Sequence, residues 1–548
     1  MGSSVRILAF FSFISLLTAN GQAQHLNLPL HRMMNLEWEN EFSSRDSFTL
    51  HTSMRPVTEN RTLSYKQFQQ YHSTKVKKHF AWLFADKNWI KRKSKWENLY
   101  DAEGKDFYFD VNPVFNFEYG RDLANNNIKK MYKNTRGFLI NGNITDKVSF
   151  STSFYENQAM LPRYLSEYAA SIGPERLISN TWRKEDAVMP GQGRTKPFKT
   201  TGYDYAWAQG YVSYSPSEKV NLQFGHGKLF VGEGYRSMLL SDNAFNFPHL
   251  RATSYWWKNR IQYSVIFASM QSLRRLDIFT TTEPMFERKA ASFHYLNIQL
   301  AKNVQVGLFE GTIWKRMNEN QELLPMDFSM FNPVLGINTI RFGMDNDNNT
   351  LVGINAKVQP MKKIYFYAQM AIDDLSGKKL GWQLGGKWFE PLGFDDASLQ
   401  IEYNQASAYT YQSANRLNSY THYNQPLAHS VGGGFTELLA IGNYRIDDYF
   451  FEYKFSWFQY KLYNQSGIRY DSNVLISDEA VPDPDDGYTW AQSWYNEAAF
   501  GYIINPLYNM NLMVGWLHRG YYNVPEHHQT SYIYIGFRTS LSNFYYDI

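Results

Sequence analysis

The most unusual stretch of this 548-residue chain runs from Phe224 to Pro248 and mixes glycines, apolar residues and a few polar side chains. Four of its residues could contact a ligand, and they are Tyr235, Arg236, Asp242 and Asn243. Phenol, guanidinium, carboxylate and amide groups are the kind of convergent polar contacts that orient an extended polar ligand such as a glycan. One interpretation of this stretch is therefore a ligand site.

The same stretch also fits a structural plug. Met238, Leu239 and Leu240 are apolar where a water-facing loop would be polar. The nearby glycines allow one backbone to approach another closely; they are Gly225, Gly227, Gly232 and Gly234. An apolar loop after a glycine-rich strand end is expected to fold inward, so the sequence leaves plug and ligand site both open.

Signatures of enzymes and metal sites are missing from the sequence. It contains no His-Glu-x-x-His, no Gly-x-Ser-x-Gly and no phosphate-binding loop. Asp345, Asp347 and Asn349 have the opening spacing of a calcium loop, but Thr350 replaces the required glycine and Ala356 the closing glutamate. The absence of cysteine excludes disulfides and thiolate metal sites. We predict a non-enzymatic protein without a metal or cofactor.

Two regions are biased in charge, although the net charge of +4 gives no case for nucleic acid. Region 160–203 is basic, with Arg163, Arg176, Arg183, Lys184, Arg194, Lys196 and Lys199. Region 462–494 is acidic, with Asp478, Glu479, Asp483, Asp485 and Asp486. The basic region would attract an acidic polysaccharide within a screening length of about 8 Å. An ordinary mixed surface is the alternative.

The elements that position these residues are strands. Between Val352 and Tyr403 apolar and polar residues alternate in four successive segments, and a period of two indicates strands with one apolar face. Segments of about ten residues suit a membrane-spanning barrel. Mean hydropathy is only −0.49, but half of each barrel strand faces water. The 17% aromatic content fits girdles at the two membrane interfaces.

The pattern predicts an all-β fold, a transmembrane antiparallel β-barrel of about eighteen strands. They lie near 106–120, 135–145, 147–157, 204–215, 219–231, 250–258, 260–271, 292–301, 303–315, 350–359, 362–373, 379–389, 396–407, 435–445, 448–461, 495–505, 508–519 and 530–541. Short and long connections alternate, as periplasmic turns and outer loops do in outer-membrane barrels. The even count predicts both termini in the periplasm. A soluble sandwich or propeller is the alternative, but it gives no reason for this alternation.

The chain before the barrel divides in two. Residues 1–23 have the basic residue, short apolar core and small residue of a secretory signal peptide. Residues 24–105 form a predicted periplasmic segment, because Thr74 to Trp89 shows helical spacing within a Lys- and Ala-rich run. A basic linker is the alternative for this segment. Residues 106–548 are the predicted outer-membrane barrel.

The run Gly-Tyr-Arg-Ser-Met-Leu-Leu-Ser-Asp-Asn-Ala from Gly234, followed by Phe247-Pro248, resembles the signature of the Wzi-like capsule-assembly outer-membrane proteins. The longer run from Tyr203 to Pro248 resembles the RemB-type gliding-motility proteins of Bacteroidetes more closely. The resemblance implies an eighteen-stranded barrel in contact with outer-membrane lipids. It also implies a role in surface polysaccharide attachment or assembly, or in gliding motility as an adhesin-type or secretion-associated component.

Three functional hypotheses follow for this barrel. The first is the non-enzymatic role that the resemblance implies, with surface polysaccharide or gliding and secretion components as partners. The second is a diffusion porin, since eighteen strands enclose a lumen wide enough for water unless loops fill it. The third is a barrel hydrolase, because catalytic triads are set by spatial arrangement rather than by sequence order.

Overall fold

A computed structural model describes residues 26–48, 50–59, 89–125, 130–277, 284–318, 320–344, 348–463, 475, 488–523 and 526–548. Its main element is a closed barrel of eighteen antiparallel strands, numbered here in chain order. Each strand pairs with the next, and the last pairs with the first. The strands are β1 (Phe107–Asp122), β2 (Met131–Ile144), β3 (Val148–Met160), β4 (Gly202–Ser217), β5 (Val220–Gly227), β6 (Phe247–Trp256), β7 (Ile261–Arg275), β8 (Phe286–Ala301), β9 (Val304–Lys315), β10 (Asn349–Met361), β11 (Ile364–Asp374), β12 (Lys379–Phe389), β13 (Ala397–Ala406), β14 (Phe435–Ile446), β15 (Tyr449–Tyr463), β16 (Tyr488–Asn505), β17 (Met510–Asn523) and β18 (Glu526–Thr539).

The predicted all-β barrel is confirmed, and each of the eighteen predicted strands has its counterpart. The boundaries differ most at the long-loop ends, where β8 begins at Phe286 rather than 292 and β16 at Tyr488 rather than 495. In these extensions Arg288 and Gln492 occupy outward positions of the ladder. The alternation of apolar residues therefore stops there, although the strand pairing continues.

The two faces of the wall differ in chemistry. In β10 the outward Ile354 is 44% exposed, whereas its neighbour Asn355 is 2% exposed and points inward. The same contrast separates Phe366 from Tyr367 in β11, with 53% and 3% exposed. An apolar outside and a polar inside is the arrangement of a barrel whose solvent is lipid. The chain is therefore a transmembrane barrel of the outer-membrane type.

The connections alternate in length around the barrel. The short ones are 145–147, 218–219, 257–260, 302–303, 362–363, 390–396, 447–448 and 506–509. Asn259 and Asp447 take left-handed backbone with φ of 65° and 53°, which asparagine and aspartate tolerate in tight turns. The first residue of β1 and the last of β18 lie at this short-turn rim. That the rim faces the periplasm stays a prediction.

The remaining elements are short. Within the described ranges the helices are α1 (Arg32–Ser43), α2 (Trp89–Lys95), α3 (Arg163–Ser171) and α4 (Ile337–Phe342), with 3-10 turns at Phe328–Phe331, Pro391–Gly393, Arg416–Asn418 and Pro506–Tyr508. None of the helices in the described ranges is both long and apolar enough to span a membrane. Short strands are Met54–Arg55, Tyr100–Glu103, Glu175–Ile178, Thr181–Lys184, Val188–Met189, Gly193–Arg194, Lys196–Phe198, Phe230–Val231, Thr421–His422 and Gln425–Pro426.

The N-terminal segment, residues 26–59, runs along the short-turn rim on the inside of the wall. The backbone N–H of Lys363 donates to Ser43 O over 2.7 Å, and the N–H of Phe48 donates to Lys302 O over 2.7 Å. Both partners belong to short turns between strands. The segment therefore closes part of this opening of the barrel.

The predicted helical run from Thr74 to Trp89 lies outside the described residues, apart from Trp89 itself. Trp89 begins α2, whose backbone carbonyl at Lys93 accepts from the Asn505 side chain at 3.2 Å. The division into 1–23, 24–105 and 106–548 stays a prediction.

Candidate functional site

The luminal loop, residues 228–246 between β5 and β6, turns into the barrel instead of standing above it. Its short strand Phe230–Val231 pairs with Met54–Arg55 of the N-terminal segment. The N–H of Met238 donates to the inward Gln369 side chain at 2.8 Å. The loop therefore crosses the lumen and is tied to the wall on its way.

The apolar part of the luminal loop fits against glycines in the wall. A Cβ on Gly353 would lie 2.2 Å from Leu239 Cδ2, and one on Gly381 would lie 2.9 Å from Met238 Cε. Any larger residue at Gly353 would have to displace Leu239, because real Cβ atoms do not approach other atoms this closely. The wall is therefore shaped to receive the loop.

Arg236 joins the luminal loop to the wall and to the C-terminal residues. Its Nη2 lies 2.9 Å from Glu437 Oε1 of β14, and its Nη1 lies 3.2 Å from Asp547 Oδ1. Its Nη1 also donates to Ser430 Oγ at 3.1 Å. Lys454 of β15 pairs with the second oxygen of Asp547 at 3.3 Å. Lys454 also lies 3.2 Å from Glu497 Oε2, so two cations face three carboxylates in this cluster.

Both members of this cluster that lie outside the strands stay charged. Burial lowers the pKa of Arg236, but Asp547 and Glu437 outweigh this and hold it well above its ordinary value. Burial raises the pKa of Asp547, but Arg236 and Lys454 outweigh this and hold it well below its ordinary value. Buried opposite charges this close favour each other's charged forms.

Tyr235 and Asp242 contact the same C-terminal residues. The Tyr235 hydroxyl donates to Asp547 Oδ2 at 3.0 Å. The Tyr545 hydroxyl donates to Asp242 Oδ1 at 2.5 Å and lies 3.2 Å from the Tyr235 carbonyl. Asn543 donates its side-chain amide to Asp242 Oδ2 at 3.0 Å. Residues 543–547 therefore enter the lumen after β18 instead of continuing the last strand.

Asn243 lies apart from the other three predicted site residues. Its Nδ2 donates to the Pro426 carbonyl at 3.1 Å, in the long connection between β13 and β14. Tyr235, Arg236, Asp242 and Asn243 are all buried, and each bonds to another part of the chain. The structure brings the first three together on the C-terminal residues and places Asn243 against an outer loop.

A second buried ion network ties the N-terminal segment to the wall and to the luminal loop. Glu39 of α1 lies 2.7 Å from both Arg55 Nη2 and Lys387 Nζ. Glu233 of the luminal loop lies 3.3 Å from Lys357 Nζ and 3.7 Å from Arg55 Nη2. Burial opposes the charged form of Glu39, but Lys387 and Arg55 outweigh it and lower its pKa to about 2.

The basic region predicted at 160–203 contains a hairpin at the long-loop rim, formed by Glu175–Ile178 and Thr181–Lys184. The guanidinium of Arg274 lies 4.2 Å from the centre of the Trp182 ring. Glu175, the first residue of the hairpin, pairs with Arg416 at 2.5 Å. Basic side chains outnumber acidic ones around it, with Arg176, Arg183, Lys184, Arg274, Arg275 and Arg416 against Glu175, Glu185 and Glu287.

The charged residues around Arg236 were not predicted from the sequence. Glu402, Glu437 and Lys454 stand at inward strand positions, and their signal was a charged residue within an apolar alternation. Glu402 accepts the backbone N–H of Arg236 at 3.3 Å. Asp547 gave no comparable signal, because no local sequence pattern indicates that the residues after β18 fold back into the lumen.

The other predicted acidic features are only partly described. Asp345, Asp347 and the acidic cluster Asp478–Asp486 lie outside the described residues, and Asn349 begins β10. Within the described ranges, no group of three or more His, Cys, Asp and Glu side chains could hold a metal ion.

Comparison with known proteins supports the fold. No family model matches the chain, and no curated protein matches it. The solved structure of Wzi from Escherichia coli, an outer-membrane protein involved in group 1 capsule assembly and a carbohydrate-binding β-barrel, is similar with a TM-score of 0.52. Identity is 11%, over 95% of this chain and 100% of that one.

Two more distant barrels are also similar. OprD of Pseudomonas aeruginosa has a TM-score of 0.39 at 10% identity, over 79% of this chain and 96% of its own. OccAB2 of Acinetobacter baumannii has a TM-score of 0.39 at 9% identity, over 78% and 97%. These two are too distant to argue from.

Proposed function

We propose that this protein is a non-enzymatic outer-membrane barrel that binds and retains a surface polysaccharide at its long-loop rim. The observation that carries the proposal is the ion-paired filling of the lumen. Arg236, Glu437 and Asp547 hold the luminal loop, the wall and the C-terminal residues together. Since the interior is used for contacts within the chain, the long loops are left as the surface for a ligand.

The ligand class that fits the rim is an acidic polysaccharide. Guanidinium groups bind carboxylates and phosphates with two parallel hydrogen bonds. Arg176 and Arg183 are directly paired across the two strands of the hairpin, and Trp182 precedes Arg183 in the second strand. Aromatic rings commonly supply flat apolar contact area beside such polar groups. The carbohydrate binding of Wzi, whose fold this chain shares, supports a carbohydrate as the ligand.

In this proposal Tyr235, Arg236, Asp242 and Asn243 act as plug residues rather than as glycan contacts. Their side chains are buried and already bonded within the chain. A role in gliding or secretion, which the RemB-type resemblance implies, is the alternative biological setting for the same rim.

The experiment is complementation of a deletion strain, with cell-surface polysaccharide and surface spreading measured side by side. We expect the Arg176→Glu/Arg183→Glu variant to lose polysaccharide retention. The matched control is Lys130→Glu/Lys378→Glu, which reverses two exposed charges in other connections of the same rim. Heat-modifiable gel migration checks that each barrel is folded. Unchanged retention in the hairpin variant contradicts the proposal, and altered spreading with normal polysaccharide favours the gliding role.

A further inference from the structure

The long connection between β9 and β10 folds down the outside of the barrel. Its residues 327–344, called the flap here, contain the 3-10 turn Phe328–Phe331 and α4. Phe331 packs edge-on against Phe267 of β7, with ring centres 5.3 Å apart. The hydroxyl of Tyr263, also in β7, donates to the Pro333 carbonyl at 2.7 Å. The flap therefore lies against the wall and not above it.

The wall under the flap is polar on the side that otherwise faces lipid. His294 pairs with Glu310 across β8 and β9, and its chain neighbours Phe293 and Tyr295 belong to the luminal core. His294 and Glu310 therefore point outward, yet they are 0% and 1% exposed. Nearby outward residues such as Ile354 are apolar and open. The polar pair His294 and Glu310 thus stands on the outer side of the wall at a place that the flap covers.

These wall residues satisfy the backbone of the flap. Glu310 accepts the N–H groups of Gly336 at 3.0 Å and Thr339 at 2.8 Å. His294 Nε2 lies 2.9 Å from the Asn332 carbonyl. Irregular backbone is excluded from the hydrocarbon region unless protein groups satisfy its N–H and C=O. The wall polar residues meet that requirement for three backbone groups of the flap.

The height of these contacts falls within the hydrocarbon layer. Glu310 stands six residues beyond Val304, the first residue of β9 at the short-turn rim. At about 3.3 Å per residue and a tilt of about 40°, it lies about 15 Å above that rim. Tyr263 is two residues beyond Ile261, so it lies at about 5 Å by the same measure. The apolar band of such barrels is about 25 Å tall.

The outer surface of the flap is mostly apolar, although Asp327 and Arg341 are also exposed on it. Ile340 is 87% exposed and Phe328 is 82% exposed, far more than a water-facing loop usually allows for such side chains. Val334 and Ile337 are also open. We propose that the flap is embedded in the outer membrane and presents these side chains to lipid acyl chains. The flap is then a lipid-binding surface that extends the apolar belt over a polar patch of the wall.

The experiment uses the absence of cysteine from the chain. A nitroxide on Ile340→Cys is measured in reconstituted vesicles with oxygen, which partitions into lipid, and with a water-soluble nickel chelate. Ile354→Cys is the lipid-facing control and Thr181→Cys, on the exposed hairpin, is the water-facing control. We expect Ile340→Cys to behave like Ile354→Cys, with oxygen collisions exceeding nickel collisions.

Two results overturn the proposal. Nickel access as high as at Thr181→Cys would show that the flap stands in water, and protection from both reagents would show that protein covers it. A second variant, Glu310→Leu, removes the acceptor and leaves an apolar side chain on the outer side of the wall. This variant should raise the nickel collision rate of the label at position 340 relative to its oxygen collision rate. Unchanged rates would contradict the role of Glu310 in holding the flap.

Discussion

Replacing Arg236 by methionine is the sharpest test of the luminal cluster. The change removes a cation from a site in which two cations face three carboxylates, because Lys454 also pairs with Glu497. Glu437 then keeps the contact with His429 but loses its guanidinium partner, so the cluster holds one more uncompensated negative charge. The strand ladder loses none of its hydrogen bonds. We therefore expect the luminal loop to be released while the barrel stays folded.

The size of the effect follows from the geometry. Breaking a buried ion pair by removing one partner costs about 3–5 kcal/mol, because the other charge stays buried and uncompensated. That is roughly a 100- to 4000-fold rise in the population with the loop released. Adding Glu437→Gln to Arg236→Met restores the net charge of the parent cluster. The double variant should therefore release the loop less often than the single variant.

The assay is thiol labelling of Ala244→Cys, at a buried position of the luminal loop in a chain without cysteine. Labelling should be slow in the parent, at least about 100-fold faster with Arg236→Met, and slower again in the double variant. Arg183→Met, which removes an arginine from the exposed hairpin, is the matched control and should change nothing. If the double variant labels as fast as the single one or faster, uncompensated charge is not the cause.

Three further predictions concern the same filling of the lumen. Gly353→Val should release the luminal loop, because its Cβ would lie 2.2 Å from Leu239. Gly442→Val should leave the loop in place, since a Cβ there meets nothing within 4 Å. The labelling rate of Ala244→Cys compares the two variants. The pKa of Glu39 is about 2 in the folded protein, below its unfolded value of about 4.3. Its contribution to the free energy of unfolding is therefore complete above the unfolded pKa and is lost as pH falls toward 2. The temperature of thermal unfolding should fall from pH 6 to pH 2, and it should fall less in Glu39→Gln than in the parent. Equal falls in the two proteins would contradict the role of Glu39. In planar bilayers the parent should be silent and Arg236→Met should conduct, whereas stable open conductance of the parent would favour the porin hypothesis.

The barrel could be predicted from sequence because its signal is local and repeated. Alternation such as that around Ile354 sets which side chains meet lipid, and lipid tolerates few exceptions. The exceptions carry information that the pattern alone did not resolve. His294 and Glu310 break the alternation because the flap covers them, and a strand pattern cannot show what lies over it.

The candidate site was predictable only in part. The glycines and apolar residues between Phe224 and Pro248 indicate an inward fold, and the loop does enter the lumen. Which polar groups meet Arg236 depends on the return of Asp547 after β18, and on registers between distant strands. Such contacts are set by the closed barrel as a whole, so no window of sequence contains them.

The central claim is that the long-loop rim binds an acidic polysaccharide, and direct binding to the purified barrel tests it. The protein in nanodiscs is titrated with an acidic and a neutral polysaccharide at rising salt. We expect saturable binding of the acidic polymer that weakens with salt, is lost in Arg176→Glu/Arg183→Glu and is kept in Lys130→Glu/Lys378→Glu. Absence of binding, or equal binding by the two variants, would contradict it.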